Sequence, residues 1–562
     1  MQAKHIHHRC LIAALVCSLA GCASLPAQRA TEHTTQLLNE RGAPSPAWPD
    51  DDDQALSAPT RLNGMSATSE ADSEVAAKGE LDLAQTLQLA FLHNPEVLAS
   101  YAKLGLSRAE LEEARRLSNP RFGFARLGSS EGGAQIVRST SFGLSDWLLL
   151  PLRKRFAEAE LSREQSEVAN HLLQMAAEVE AAWYQAVSAA QIAAMRGLVR
   201  DAAEASAEFA QRLLEAGNIE RLQWQRERAA AVSAALQAAR AEADAARARQ
   251  ALALQIGLPL ERSWQLASAL PPPDSTRFEL NRLIEQALDQ RLDLIAARQA
   301  LAQREQALGL AQRWRWLGEI EFEYEWESET DGARLRGPAL NLELPLFSQG
   351  QPALIRAKAE LIAAKNQLNA SLRQVEGETR LALAELDLQR EIIERYRQAL
   401  LPAREAIVAR TQEQVNFMLV GVFELLAAKQ EQFDAYQEYL EAVRDYWLAR
   451  VELGRAVGSR LPSASETSTP LIGVEQIVPT RAATDHHHHG HTDHERDASS
   501  KAPTDHGKQA EMDHSQHIQH ADHSKHNQPE QTNHADHEPE VKSSSPDPHR
   551  HHSPPPEQGV PA

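Results

Sequence analysis

The chain is poor in cysteine, in aromatic residues and in positive charge. Its 562 residues include 3 cysteines and 5% aromatic residues, and the formal net charge is -20 at pH 7. So few aromatic residues predict long packed helices rather than a sheet-rich core. The acidic excess disfavours a nucleic-acid-binding protein, which needs a basic footprint. The sequence also lacks the run of roughly 18 apolar residues that a membrane-spanning helix requires, and this excludes a helical membrane protein.

The first 22 residues have the layout of a secretory signal peptide. Lys4 and Arg9 precede a short apolar run over 11–19, and small residues follow it. The last four residues of this segment, Leu-Ala-Gly-Cys ending at Cys22, resemble the bacterial lipobox, in which the cysteine becomes the lipidated first residue of the mature chain. We therefore expect a lipoprotein signal peptide over 1–21 and acyl chains on Cys22. An ordinary signal peptide with a chance cysteine is the alternative.

Cleavage before Cys22 would leave the mature chain without a free thiol. Cys10 and Cys17 would be discarded, so we expect no disulfide, no zinc-cysteine site and no cysteine nucleophile. Several acyl chains make a stable membrane anchor. In lipoproteins of this kind the residue after the cysteine directs sorting, and Ala23 implies the outer membrane. The sequence thus predicts a lipid-anchored protein in contact with outer-membrane lipid.

The mature chain divides into a linker, a duplicated body and a tail. Residues 22–80 are rich in Ala, Ser, Pro and Asp and are predicted to be an anchor and flexible linker. Three landmarks recur in the body, from 90 to 287, from 144 to 342 and from 217 to 421, with offsets of about 200 residues. These offsets predict an internal duplication with a first repeat over 81–270 and a second over 271–460. The tail over 461–562 has the composition of a disordered segment.

Each predicted repeat ends in a long helical hairpin. Residues 154–215 contain no Pro or Gly except Gly197, and a helix of that length measures roughly 93 Å. Alanine-dense stretches allow close helix packing of the coiled-coil kind. Gly217 and Gly421 interrupt the two hairpins and mark their tips. A plain coiled-coil scaffold is the alternative interpretation of the helices.

Short alternating segments distinguish the chain from a pure coiled coil. Residues 319–327 read Glu-Ile-Glu-Phe-Glu-Tyr-Glu-Trp-Glu, a strict period of two that predicts a strand. Its length suits a tilted membrane strand, with an apolar face toward lipid and an acidic face toward a water-filled lumen. Four such strands cannot close a barrel alone, so several chains would have to share one. The predicted lumen-facing residues are Glu321, Glu323, Glu325 and Glu343.

Taken together, residues 81–460 resemble the TolC family of outer-membrane efflux channels. The resemblance rests on the Asn94-Pro95-Glu96 opening, paired strands, the prolines Pro151 and Pro345, and long helices with glycine tips. It implies a mixed membrane fold: a homotrimer in which four strands per protomer complete a 12-stranded β-barrel above a long α-helical coiled-coil barrel. It also implies that the tips at Gly217 and Gly421 contact a periplasmic adaptor protein, which connects the channel to an inner-membrane pump of the RND type.

The tail is dense in histidine. Imidazole is a ligand for zinc, copper(II), nickel and cobalt, so we expect the tail to bind divalent ions at several adaptable sites. A merely solvated polar tail and an engineered tag are the alternatives. The candidate ligands are His486, His487, His488, His489, His491, His494, His514, His517, His523, His526, His534 and His537.

These features predict a channel rather than an enzyme. Neither a nucleophile constellation nor a phosphate loop is evident, and a passive channel requires no cofactor. The acylated anchor and the tail favour a heavy-metal efflux channel, similar to the copper/silver and cobalt/zinc/cadmium systems. Two alternatives stay open: a general drug-efflux or secretion channel, and a periplasmic metal-storing coiled-coil lipoprotein. The second of these would need the helices and the tail but not the strands.

Overall fold

A computed structural model describes most of the predicted body and part of the predicted linker. Cys22 and the histidines of the tail lie outside the described residues. The described ranges are 27–49, 80–128, 133–257, 264–316, 318–347 and 349–461.

No helix in these ranges is both long enough and apolar enough to cross a membrane.

The first half of the body is a helix pair, a strand pair and a long helical hairpin. A short helix, α1 (Ala27–Asn39), precedes it. The elements then follow as β1 (Glu80–Leu81), α2 (Leu83–His93), α3 (Pro95–Ala114), β2 (Arg121–Gly128), β3 (Ala134–Gly143), α4 (Leu144–Glu215) and α5 (Arg221–Ile256).

The second half has the same order of elements. It contains β4 (Gln265–Leu266), α6 (Leu280–Gln290), α7 (Leu292–Arg313), β5 (Ile320–Ser328), β6 (Arg334–Leu342), α8 (Gln351–Arg395), a π-helical turn (Tyr396–Leu400), α9 (Leu401–Asn416) and α10 (Val422–Val457). The short strands β1 and β4 pair in parallel and join the two halves.

Helix α4 is longer than the sequence predicts. It has 72 residues, about 108 Å at 1.5 Å per residue, and it starts at Leu144 rather than at residue 154. Pro151, predicted to mark a return of the chain, lies inside the helix. As the eighth residue of the helix it lies beyond the first turn, where a proline removes the backbone hydrogen bond to the carbonyl four residues earlier, here that of Trp147, at a cost of about 3 kcal/mol. The helix nevertheless runs without a break from the end of β3 to the hairpin tip.

The four long strands form one antiparallel sheet in the order β2-β3-β5-β6. The predicted strand over 319–327 is confirmed, because β5 covers Ile320–Ser328. Its central position comes from two ladders, in which Glu323 lies opposite Ser141 on β3 and opposite Ala339 on β6. Strands β2 and β6 are the edges, and neither has a second partner among the described residues.

The main core lies where the helical hairpins of the two halves meet. Tyr184 of α4 stacks on Trp447 of α10 with ring centroids 5.0 Å apart. Trp447 Nε1 donates to the carbonyl of Pro271, and the Tyr446 hydroxyl donates to the carbonyl of Asp274, each at 2.9 Å. Burying a side chain of this size contributes about 1.5–3 kcal/mol. These contacts hold the segment after β4 against the helices of both halves.

Part of the predicted flexible linker is a packed helix. Leu38 of α1 is fully buried, in one cluster with Phe91 and Leu172. Beyond the helix, Arg41 Nη2 donates to the carbonyl of Gln290 at 2.8 Å, and Arg460 N donates to the carbonyl of Arg41 at 3.0 Å. The linker prediction is therefore wrong for residues 27–49, because a short apolar helix face packs on α3 and α4.

Candidate functional site

The sheet has one acidic face. Alternation along β5 places Glu321, Glu323 and Glu325 on the same side, as predicted from the sequence. Their cross-strand neighbours are small or polar: Gly143 and Asn341 beside Glu321, Ser141 and Ala339 beside Glu323, and Ser139 and Gly337 beside Glu325. Small neighbours leave room for water around the carboxylates, so this face can be hydrated over its length.

Two of the three carboxylates are anchored by the adjacent strands. The Ser141 hydroxyl donates to Glu321 Oε1 at 2.6 Å, and Arg121 Nη1 lies 3.8 Å from the same oxygen. Asn341 Nδ2 donates to Glu323 Oε2 at 3.3 Å. The side-chain carboxylate of Glu325 has no hydrogen bond or ion pair within the part of the chain that the structure describes. The acidic face therefore keeps at least one carboxylate available to ions in solution.

Glu343 lies just past the end of β6 rather than in the strand. Its backbone N–H donates to the carbonyl of Glu319 at 3.0 Å, so the pairing with the start of β5 extends one residue beyond Leu342. Its side chain turns back, and Oε2 accepts from the N–H of Glu319 at 3.4 Å. The backbone of Glu343 crowds Gly318, where an added Cβ would lie 2.3 Å from the Glu343 carbonyl oxygen. Glu343 thus closes the helix-side end of the sheet, and its predicted exposure to a lumen stays a prediction.

The opposite face of the sheet is apolar and aromatic. It carries residues of all four strands: Phe122, Phe124, Phe142, Ile320, Phe322, Tyr324, Trp326, Pro338, Leu340 and Leu342. Phe142 and Phe322 pack together with ring centroids 5.2 Å apart. Phe122, Phe124 and Leu340 are each more than 60% exposed in the single chain. A continuous apolar face of this kind is suited to lipid rather than to water.

Four arginines on that apolar face were missed by the sequence analysis. They occupy the same alternating positions as the aromatic residues, and all lie toward the β2–β3 and β5–β6 turns: Arg126, Arg138, Arg334 and Arg336. The signal was present in the alternation itself. Residues 334, 336 and 338 share a face with Leu340 and Leu342, whereas the prediction was based on the aromatic residues and the glutamates alone.

The first hairpin tip is a glycine turn. Gly217 follows α4 with a φ of 76°, and its N–H donates to the carbonyl of Leu214 at 2.9 Å. Asn218 N donates to the carbonyl of Leu213 at 2.8 Å, which completes a helix-ending turn with a left-handed residue. Glycine adopts this conformation without a steric penalty.

The second tip has the same turn, but a methionine replaces the glycine. Met418 has a φ of 58°, and Leu419 N donates to the carbonyl of Gln414 at 2.9 Å. Gly421 has a φ of -78° and is the residue before α10, as Glu220 is before α5. The equivalent of Gly217 is therefore Met418, 201 residues later, and the predicted match with Gly421 is wrong. Phe417, Met418 and Leu419 leave an exposed apolar tip.

The described residues contain no group of three or more His, Cys, Asp or Glu side chains arranged to hold a metal ion. His171 lies 3.4 Å from a carboxylate oxygen of Glu96, an exposed contact on α3 and α4. The predicted metal ligands His486 to His537 and the predicted lipidation site Cys22 lie outside the described residues. Both stay predictions.

No protein-family model matches the sequence, and no curated protein matches it either. Solved structures match it along most of their length. CusC aligns with a TM-score of 0.55 at 16% identity, over 68% of this chain and 92% of CusC. The CmeC outer-membrane channel of Campylobacter jejuni aligns with a TM-score of 0.57 at 17% identity, over 75% of this chain and 96% of CmeC. The open state of the MtrE outer-membrane channel of Neisseria gonorrhoeae aligns with a TM-score of 0.55 at 18% identity, over 67% of this chain and 89% of MtrE. At these identities the likeness establishes the fold, so the chain has the fold of the outer-membrane channels, with long helical hairpins and a four-stranded sheet.

Proposed function

We propose that the protein is the outer-membrane channel of a tripartite efflux system, a passive conduit from the periplasm to the exterior. The observation that carries the proposal is the sheet, which has a glutamate face and an apolar face and is continuous with long helical hairpins, one of them built on a helix of 72 residues. A metal-storing lipoprotein built on a coiled coil has no use for such a sheet. No group in the described residues is arranged for covalent chemistry, so we assign no reaction to it.

A channel of this kind requires more than one copy of the chain. Strands β2 and β6 end the sheet with unpaired backbone groups, and lipid does not tolerate an open sheet edge. Joining β6 of one copy to β2 of the next removes both edges. We propose a homotrimer, in which three sheets of four strands close a barrel of 12. The glutamates then line its lumen and favour cations.

The hairpin tips are the proposed contact with the rest of the efflux system. They lie at the end of α4 and α9 that is remote from the sheet, and the second tip exposes Phe417, Met418 and Leu419. Apolar side chains exposed in a group mark a protein contact. We propose that a periplasmic adaptor protein binds there and that an inner-membrane pump, rather than this chain, supplies the energy.

Heavy-metal cations are the proposed substrate class. This part of the proposal rests on the histidine clusters of the tail and on the acidic face of the sheet. Imidazole binds borderline divalent ions such as zinc, copper(II), cobalt, nickel and cadmium. A general drug-efflux channel has the same fold, so substrate class has to be tested separately from channel activity.

Two measurements test the two halves of the proposal. The purified protein should migrate as a trimer in mild detergent and should form cation-preferring pores in planar bilayers. A stable monomer without conductance would overturn the channel. In a bacterial host that lacks its own metal-efflux channel, the full chain with a cognate pump should raise tolerance to at least one divalent metal. Tolerance raised only to organic drugs would return the protein to the general-efflux alternative.

A further inference from the structure

The arginines of the apolar face form two rows across the sheet. In the first row, cross-strand pairing places Phe124, Arg138, Trp326 and Arg336 side by side. In the second row, Arg126, Ile136, Ser328 and Arg334 are side by side, one step closer to the turns. Arg126 and Arg138 are diagonal neighbours on adjacent strands, and Arg334 and Arg336 are two residues apart on β6, so each pair is about 7 Å apart. Only β5 separates the two pairs, by about 10 Å, so the four long side chains share one patch. We call these four residues the arginine rows.

The arginine rows have no anionic partner in the part of the protein that is described. The glutamates of β5 lie on the other face of the sheet. The backbones of all four arginines pair within the sheet, but none of their side chains has an ion pair or hydrogen bond with a described residue. By contrast, the side chain of Arg121, which lies on the glutamate face, contacts Glu321. All four side chains of the rows are exposed. Four exposed guanidinium groups without a described protein partner are available to an anion from outside the chain.

The position of the rows in the sheet indicates which anion this is. The apolar band extends along β5 from Ile320 to Trp326, six residue steps or about 20 Å along the strand, and Ser328 lies about 27 Å from Ile320. An arginine on the lipid face costs about 2–4 kcal/mol at the middle of a bilayer but about 0–1 kcal/mol near its interface. The rows therefore belong at the headgroup level, at the edge of the apolar band nearer to the turns.

We infer that the arginine rows bind the phosphate groups of lipids with a net negative charge, such as lipid A, in the membrane leaflet at the turn end of the sheet. A zwitterionic lipid such as phosphatidylcholine, whose phosphate is neutralised by its own choline, is not expected to bind there. A single guanidinium group can donate two parallel hydrogen bonds to two oxygens of one phosphate, which gives arginine greater geometric specificity than lysine. The aromatic residues beneath the rows would contact the acyl chains of the same lipids. The inference rests on the proposed membrane location of the sheet, and it adds a lipid-binding site that orients the channel and fixes its depth.

The test compares two variants of equal charge change. The first is Arg126→Gln, Arg138→Gln, Arg334→Gln and Arg336→Gln. The control is Arg212→Gln, Arg247→Gln, Arg395→Gln and Arg410→Gln, which removes four exposed arginines, each paired on its own helix, far from the sheet. A third variant replaces the arginine rows by lysine, which keeps the charge without the paired geometry.

Each full-length protein is incubated in mild detergent with diphosphorylated lipid A or with phosphatidylcholine, and bound lipid is counted by native mass spectrometry. We expect the wild type and the control to retain lipid A equally, and the glutamine variant to lose at least about tenfold in retention. The lysine variant should lie between them. Retention of phosphatidylcholine should be the same in all four proteins. Lipid A retention by the glutamine variant at the wild-type level would overturn the inference, and so would equal retention of both lipids by the wild type.

Conductance separates this result from a failure of the proposed function. A glutamine variant that forms wild-type pores but no longer retains lipid A supports the inference with its channel intact. If the variant does not fold, the double variant Arg138→Gln with Arg336→Gln is tested in the same lipid-retention assay. It removes the arginines of the first row only. If the wild type forms no pores in any bilayer, the proposed function fails, whatever the lipid count.

Discussion

Asn94 and Arg291 make the same contact in the two halves of the protein. Asn94 Nδ2 donates to the carbonyl of Gln255 at 2.9 Å, and Arg291 Nη1 donates to the carbonyl of Ala456 at 3.2 Å. Both donors are the residue before a helix, α3 or α7, and both acceptors lie two residues before a left-handed glycine, Gly257 or Gly458. One junction is thus built twice with different side chains.

That junction predicts where an added methyl group is most harmful. In Gly257→Ala the new Cβ would lie 2.6 Å from the carbonyl oxygen of His93, in addition to the strain of a φ of 78°. In Gly217→Ala the φ is 76°, but no atom lies within 4 Å of the new Cβ. We expect about 1–2 kcal/mol of destabilisation from the conformation in both variants. In Gly257→Ala the free energy of unfolding should fall by roughly another 1–3 kcal/mol, because the new Cβ overpacks the junction.

Thermal melting followed by circular dichroism in detergent would check this comparison. Gly458→Ala should behave like Gly257→Ala, because its Cβ would lie 2.7 Å from Arg291 Cγ and 2.9 Å from Arg291 Cα. Equal melting temperatures for Gly217→Ala and Gly257→Ala would show that the helix junctions are not close-packed.

Neutralising the acidic face should change ion selectivity. With Glu321→Gln, Glu323→Gln and Glu325→Gln, the proposed lumen would lose three carboxylates per chain, and the cation-to-anion permeability ratio in planar bilayers should fall. The matched control is Glu208→Gln, Glu376→Gln and Glu391→Gln, which removes glutamates that are paired with arginines on exposed helix surfaces. If both variants shift the ratio equally, the glutamates of β5 do not line the pore.

Lipidation of Cys22 predicts a covalent mass difference. The N-terminal peptide of the mature wild-type protein should start at Cys22 and carry acyl chains. Cys22→Ser should lack them and should be recovered from the membrane in lower yield, because several acyl chains provide a stable anchor. Peptide mass spectrometry of both proteins measures this. An unmodified Cys22 in the mature wild-type protein would rule out the lipobox.

The histidine tail should bind metal in a pH-dependent way. Compared with a chain that ends at residue 484, the full protein should take up several additional zinc or copper(II) ions in calorimetric titration at pH 7.5. Protonated imidazole does not ligate, so binding should weaken by about fivefold per ligating imidazole between pH 6.5 and pH 5.5. The truncated chain should remain a trimer and should still conduct. Identical titrations of the two chains would remove the argument for a metal substrate.

Alkaline pH should weaken the contact between the two halves. Burial raises the pKa of the Tyr184 phenol above its ordinary value near 10, and the neighbouring Glu180 carboxylate adds to the shift. The folded state therefore favours the protonated phenol. This contribution to stability is full below pH 10 and is lost as the pH rises above it. Melting temperatures between pH 9 and pH 11.5 should fall less steeply in Tyr184→Phe than in the wild type, whereas parallel slopes would exclude this phenol as the cause.

The alternation of β5 was predicted from the sequence because a strand exposes its period directly, and the long helices were predicted because proline and glycine are scarce in them. Three features required the structure. Helix α4 continues through Pro151, although a proline inside a helix normally kinks or ends it, so the sequence alone places the helix start after this residue. The turn at Met418 is invisible to a search for glycine. Helix α1 is too short for its apolar spacing to stand out from a polar segment. A shared barrel depends on other copies of the chain, and its closure cannot be read from one chain.

The packing of α1 also limits the distance between Cys22 and the folded body of the protein. Thr35 accepts from Trp48, and Trp48 in turn lies 6.3 Å from Tyr101, whereas Arg41 contacts Gln290. The helix therefore runs with its first residue, Ala27, directed toward the sheet. Five residues of chain can span at most about 17 Å, whatever their conformation. Acyl chains on Cys22 would thus enter the membrane inside a small circle around a fixed point on the protein. They would therefore stay next to the surface of the protein, whereas a long flexible linker would let the acyl chains move far from it.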